Sequence, residues 1–196
     1  NQKKNNIVMA INLEKSQSID LTKSTVGLNN LGLGLGWDAS DASGNNIDCD
    51  VSVFMLDSSN KIPGDGYFVF YNNLTSSDGS VVHQGDNTTG DGEGDDEVVH
   101  VNLGKVNSSV LQMLFVVTIH DAEKLNQDFS IVQNAFIRIY DNDSGEELCR
   151  YKLSENFGDA DSVQIGRVYN HDGGWHFEAM GIGFTGGLGA LLGAYN

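Results

Sequence analysis

The chain has 196 residues, 11 of them Lys or Arg against 27 Asp or Glu, for a formal charge of −16. That length suits one domain with a full core, and a hydrophobic share of 39% excludes disorder along the whole chain. So acidic a chain excludes wrapping a nucleic-acid backbone, which takes clustered Lys and Arg.

Residues 1–8 read as a polar leader ahead of a single domain over 9–196. Lys3 and Lys4 precede the apolar run Ile7-Val8-Met9-Ala10-Ile11, but Asn12 cuts it below the length of a signal-peptide core. No stretch reaches the ~18–20 apolar residues of a membrane helix. A cytoplasmic protein is expected. Beyond the leader, apolar and polar residues alternate in short runs bounded by Gly, Asp, Asn and Ser clusters, the period of half-buried strands. Strands are predicted over 18–22, 28–36, 47–56, 67–71, 80–83, 97–103, 112–120, 134–140, 147–153, 162–169 and 175–182. In 47–56, Ile47, Cys49, Val51, Val53 and Met55 share one face. Asp48, Asp50 and Ser52 share the other, until Phe54 and Leu56 turn it apolar.

Asp78-Gly79, Asp141–Gly145 and Asn170–Gly174 have the composition of hairpin turns. Residues 104–110 and 122–132 have room for a helical turn each. Leu188, Leu191, Leu192 and Tyr195 follow helical spacing, so a short C-terminal helix should pack on a sheet despite its glycines. The pattern predicts an all-β fold: a β-sandwich of about ten short strands with minor helical turns. Cys49 and Cys149 lie inside apolar runs and read as buried, reduced thiols.

The compositional outlier is Gly85 to Glu97. Asp86, Asp91, Glu93, Asp95, Asp96 and Glu97 alternate with glycines, and Asn87 adds an amide oxygen. Glycine lets a backbone curl so that carboxylates and carbonyls face one centre. Ca²⁺ needs six to eight such hard oxygens, whereas Mg²⁺ keeps more of its waters. Without a cation these charges repel one another. Asp48 and Asp50, two apart on a strand, project from one face about 7 Å apart and form a second acidic group. We therefore expect a calcium region built from both segments, with the loop folded over the end of the strand. Asp38 opens a turn-forming loop, where a ligand role and ordinary Asx-turn chemistry are equally open. The spacing fits no EF-hand, because position 6 counted from Asp86 is Asp91 and not glycine. No Cys and His spacing suits zinc. His120 and Asp121 end a predicted strand, and adjacent strand residues point to opposite faces, so they cannot form one dyad.

Several runs together carry a resemblance: Gly32-Leu33-Gly34-Leu35-Gly36-Trp37-Asp38, Ile47-Asp48-Cys49-Asp50-Val51-Ser52, Phe68 to Asn73, and Asp78 to Asn87. Gly90 to Glu97, Phe115 to Ala122, Asn134 to Arg138 and Gly186-Gly187-Leu188 continue the order. Over roughly residues 9–190 the chain resembles the TerD family of tellurium-resistance and general stress proteins. The resemblance implies a calcium-binding β-sandwich with a non-enzymatic role in resistance to tellurite and other stresses. It also implies partners among tellurium-resistance and stress proteins, membrane-embedded ones included, and docking at the inner face of a membrane. On the family's pattern its Asp-x-Asp strand falls on Asp48 and Asp50 and its acidic loop on Asp86 to Glu97. Cys49 departs from the apolar residue usual there.

The expected function is thus a calcium-dependent docking or scaffold module binding more than one Ca²⁺. One alternative is a self-assembling β-module with calcium as a staple. The other is a metal-dependent hydrolase, which is disfavoured because no base–nucleophile pair is evident and the carboxylates are too many for a lean catalytic site.

Overall fold

The computed structural model describes residues 10–38, 44–85, 94–153 and 157–196. Its strands are β1 (Ile11–Leu13), β2 (Ser18–Asp20), β3 (Asn30–Gly36), β4 (Cys49–Leu56), β5 (Phe68–Val69) and β6 (Val81–His83). They continue with β7 (Glu97–Asn102), β8 (Gln112–Ile119), β9 (Phe136–Asp141), β10 (Glu147–Lys152), β11 (Ser162–His171) and β12 (Gly174–Phe184). The helices are α1 (Leu21–Ser24), α2 (Ala122–Leu125) and α3 (Gly187–Tyr195). One six-stranded sheet runs β1-β10-β9-β3-β7-β6 and the other β2-β12-β11-β8-β4-β5. All neighbours are antiparallel except β1, which lies parallel to β10. The expected all-β sandwich is therefore present.

Alternation decides which faces meet. Leu31, Leu33 and Leu35 of β3, Val99 and Val101 of β7, and Ile137 and Ile139 of β9 face Cys49, Val51, Val53 and Met55 of β4 and Phe115 and Val117 of β8. Both cysteines are buried free thiols in this layer. The face of β4 that turns apolar at Phe54 and Leu56 carries a second core with Phe68, Leu114 and Val116, and α3 closes it through Leu191. A two-sided sheet thus has one face filled by its partner and the other by a helix.

Local structure departs from the alternation in a few places. The strand predicted over 18–22 stops at Asp20, whose carboxylate accepts from the Lys23 backbone N–H (2.9 Å) and starts α1. The run predicted over 67–71 keeps only Phe68–Val69 as strand, after a 3₁₀ turn at Asp65–Tyr67. The helical turn expected in 104–110 is a 3₁₀ turn at Leu103–Lys105, and the one in 122–132 is α2. The β11–β12 hairpin turns through Asp172 and Gly173, both at positive φ (49° and 77°), the backbone of a tight hairpin.

Candidate metal site at one end of the sandwich

The acidic segments meet at one end of the molecule. There β3 is followed by Trp37 and Asp38, β4 begins at Cys49, β7 begins at Glu97, and β8 is followed by His120. The antiparallel registers Leu35↔Glu97 and Cys49↔Ile119 bring these termini together within each sheet. The two sheets are tied by the Val51 backbone N–H, which donates to Glu97 Oε2 at 2.6 Å.

Glu97 points into the sandwich and is 2% exposed. His83, equally buried on neighbouring β6, places Nε2 3.4 Å from Oε2. The Gly85 N–H donates to His83 Nδ1 (3.1 Å), which assigns the ring proton to Nε2, facing the carboxylate. The other oxygen, Oε1, is buried with no hydrogen-bond partner among the described residues. Burial lifts the Glu97 carboxyl to about 7, opposed by the bonds from His83 and Val51.

Asp48, Asp50, Asp96 and Glu97 act together on Cys49. Burial and then these four carboxylates push its thiol well above the ordinary range. Asp50, nearly buried, accepts His120 Nδ1 at 3.2 Å, while the His120 backbone N–H donates to the Asp48 carbonyl at 2.8 Å. His120 also lines an open polar cleft of about 440 Å³ with Asp50, Thr118, Lys124 and Asp161. Asp96 Oδ2 accepts from the Trp37 N–H (2.8 Å), and the Asp96 N–H returns a bond to the Leu35 carbonyl.

Asp95 and Asp38, at the same end, are engaged by other partners. Both oxygens of Asp95 accept from Arg138 on β9, at 2.6 to 3.0 Å. That pair lies directly on Gly34, where a Cβ would come within 2.2 Å of the Asp95 carboxylate. Asp38 Oδ2 accepts from Asn134 Nδ2 (2.9 Å). Asp86, Asn87, Asp91 and Glu93 lie outside the described residues. Among the described residues no three His, Cys, Asp or Glu side chains form a ready metal-binding group. His120 was missed as a neighbour of the acidic site. Asp121 lies beyond the end of β8 at positive φ, so against the expectation from strand alternation its carboxylate comes to 4.0 Å from His120 Nε2, while the cross-strand register Asp50↔Thr118 brings Nδ1 of the same ring onto Asp50.

A two-sheet sandwich with carboxylates gathered at one end defines the class, and the TerD domain matches residues 9–195. The chain belongs to the TerD family. It is 45% identical over 187 residues to tellurium resistance protein TerD of Serratia marcescens, covering 95% of this chain and 97% of that one. General stress protein 16U of Bacillus subtilis (strain 168) is 47% identical over 188 residues, covering the same 95% and 97%. The crystal structure of a TerD homologue from Streptomyces coelicolor A3(2) superposes with a TM-score of 0.67 at 21% identity, covering 85% of this chain and 96% of that one. This last likeness concerns the fold. The chain is thus a member of a tellurium-resistance and stress-response family, and no helix among its described residues is long and apolar enough to cross a membrane.

Proposed function

We propose that the protein is a calcium-dependent, non-enzymatic docking or scaffold module of the stress response. The observation that carries this reading is the Glu97 Oε1 oxygen, buried without a hydrogen-bond partner among the described residues, in the charged cluster of Asp96, Asp50 and Asp48. A lone buried carboxylate oxygen is costly unless a cation or donor satisfies it. The donors are hard oxygens, as calcium prefers, and the buried thiol of Cys49 is kept protonated and out of the ligand set. Asp48, Asp50, Asp96 and Glu97 would supply oxygens from the sandwich, and Asp86, Asn87, Asp91 and Glu93, outside the described residues, from the acidic sequence that precedes Asp95. Asp95, held by Arg138, and Asp38, held by Asn134, would stand beside these oxygens. Charge would be neutralised over a wide patch, and that change is what a basic or membrane-associated stress protein would read. The named relatives act in tellurium resistance and general stress, and we extend that role to this chain in the cytoplasm.

The hydrolase reading gains one feature, the His120–Asp50 pair in an open cleft, which is the pairing a general base uses. Assaying broad phosphatase and esterase substrates with and without Ca²⁺ separates the two readings. The scaffold account expects no turnover above that of the His120→Ala variant. Co-purification with membrane-associated stress proteins, against self-assembly of the pure chain, separates docking from a purely structural module.

A further inference from the structure

At the opposite end of the sandwich from the acidic site, the β11–β12 hairpin sets two histidines side by side. Tyr169 pairs with His176 across the strands, and His171 with Gly174, so both imidazoles rise from the face that carries Tyr169. Their ring centroids are 5.8 Å apart. Each ring turns Nε2 toward a carboxylate: His176 toward Asp20 Oδ2 at 3.7 Å, and His171 toward Asp172 Oδ2 at 3.3 Å. Neither Nδ1 has a hydrogen-bond partner among the described residues.

We propose that His171 and His176 form a binding site for a borderline divalent transition cation, taken tightest as Cu²⁺ and more weakly as Ni²⁺ or Zn²⁺. A metal bonded about 2.0–2.1 Å from one nitrogen of each ring holds two imidazole centroids roughly 5–6 Å apart, which is the spacing here. At 3.3 and 3.7 Å the carboxylates act through charge and not as hydrogen-bond acceptors, and a negative charge beside the far nitrogen raises the basicity of the free one. His176 is the pre-set member. Its ring stacks on Tyr169 at 5.2 Å and 22°, and its carboxylate partner is itself fixed, since Asp20 Oδ1 accepts from Lys23 N and Thr22 Oγ1. His171 is two-thirds exposed, so an ion reaches the pair directly from solvent. Arg167 lies over the Tyr169 ring and is matched by Glu178 at 2.7 Å, and the charge of Lys23 is felt by Asp20, so both cations near the pair have a carboxylate beside them. Because no third ligating side chain converges on the pair among the described residues, solvent completes the coordination. The order of affinities then follows the intrinsic series, with Cu²⁺ above Ni²⁺ and Zn²⁺.

The site is tested by titrating the full chain with Cu²⁺ in saturating Ca²⁺, following heat and the electron paramagnetic resonance spectrum. One ion should bind per chain, with a spectrum showing two nitrogen ligands. His171→Ala and His176→Ala should each weaken binding by at least about tenfold. Unchanged binding in the His171→Ala/His176→Ala double variant, an oxygen-only spectrum, or no one-to-one saturation overturns the proposal. Calcium is held constant throughout, so the outcome is independent of whether the acidic end binds it.

Discussion

Glu97 concentrates the chemistry of the acidic end into one side chain. Its carboxyl ionises near 7 in the fold because burial penalises the charge, against an ordinary value of 4.5. Between those two values the folded chain holds a proton that the unfolded chain has released. Metal-free stability should therefore fall as pH rises from about 4.5 to about 7 and level off above. Glu97→Gln keeps an acceptor for the Val51 N–H and has nothing to ionise, so chemical denaturation across that range should give a flatter profile. A profile as steep as that of the unsubstituted chain would assign the slope to another group. Arg138 makes the second residue-scale prediction. It is the partner of a nearly buried Asp95, so Arg138→Met leaves that carboxylate uncompensated. Unfolding curves should show a loss of about 2–3 kcal/mol, at or below the range for breaking a buried pair because the guanidinium is partly exposed. Gly34→Ala should act through the same pair, since a methyl group there displaces the Asp95 carboxylate.

At the scale of elements, α3 shows how a weak helix is held. Gly189 and Gly193 inside nine residues cost helix propensity, each by about 1 kcal/mol relative to Ala. Charge at both ends offsets this: Asp161 accepts from the Gly186 and Gly187 N–H groups, and Lys61 Nζ donates to the carbonyls of Ala194 and Asn196. Leu191 supplies the buried contact with Phe54, Phe68, Leu114 and Val116. Leu191→Ala should cost about 2–3 kcal/mol and raise binding of a hydrophobic dye to the uncovered face. An unchanged melting temperature with no added dye binding would mean that α3 contributes little to this core. Much of this was legible beforehand. The alternation in 47–56 announced both faces of β4, including the switch at Phe54, and the spacing of Leu188 to Tyr195 announced α3. What stayed hidden depends on partners distant in sequence. Residues 11–13 become β1 only because the edge of β10 accepts them, and Asp20 interrupts a strand-like run because its carboxylate caps α1. The acidic cluster was readable as composition. The pairing of Asp95 with Arg138 and of Asp50 with His120 required the sheet register, which no local pattern encodes.

For the whole molecule, a net charge of −16 makes cation binding a matter of stability as well as recognition. Self-repulsion destabilises a compact acidic chain, and an ion bound only by the folded state stabilises it by RT ln(1 + [L]/Kd). At a hundredfold excess over Kd that is about 2.7 kcal/mol, or a rise in melting temperature of roughly 5–10 °C for a chain of this size. Ca²⁺ should give that rise and Mg²⁺ at equal concentration a smaller one, whereas equal responses would point to general charge screening. The most direct test of the calcium site is a calorimetric Ca²⁺ titration of the metal-stripped protein beside its Asp50→Asn and Asp143→Asn variants. Asp50 stands at the acidic end, while Asp143 sits in the β9–β10 hairpin at the other end and accepts from Asn30. The account predicts saturable binding that Asp50→Asn weakens at least about tenfold and Asp143→Asn leaves unchanged. Absence of saturable heat, or weakened binding in Asp143→Asn with Asp50→Asn intact, would contradict it.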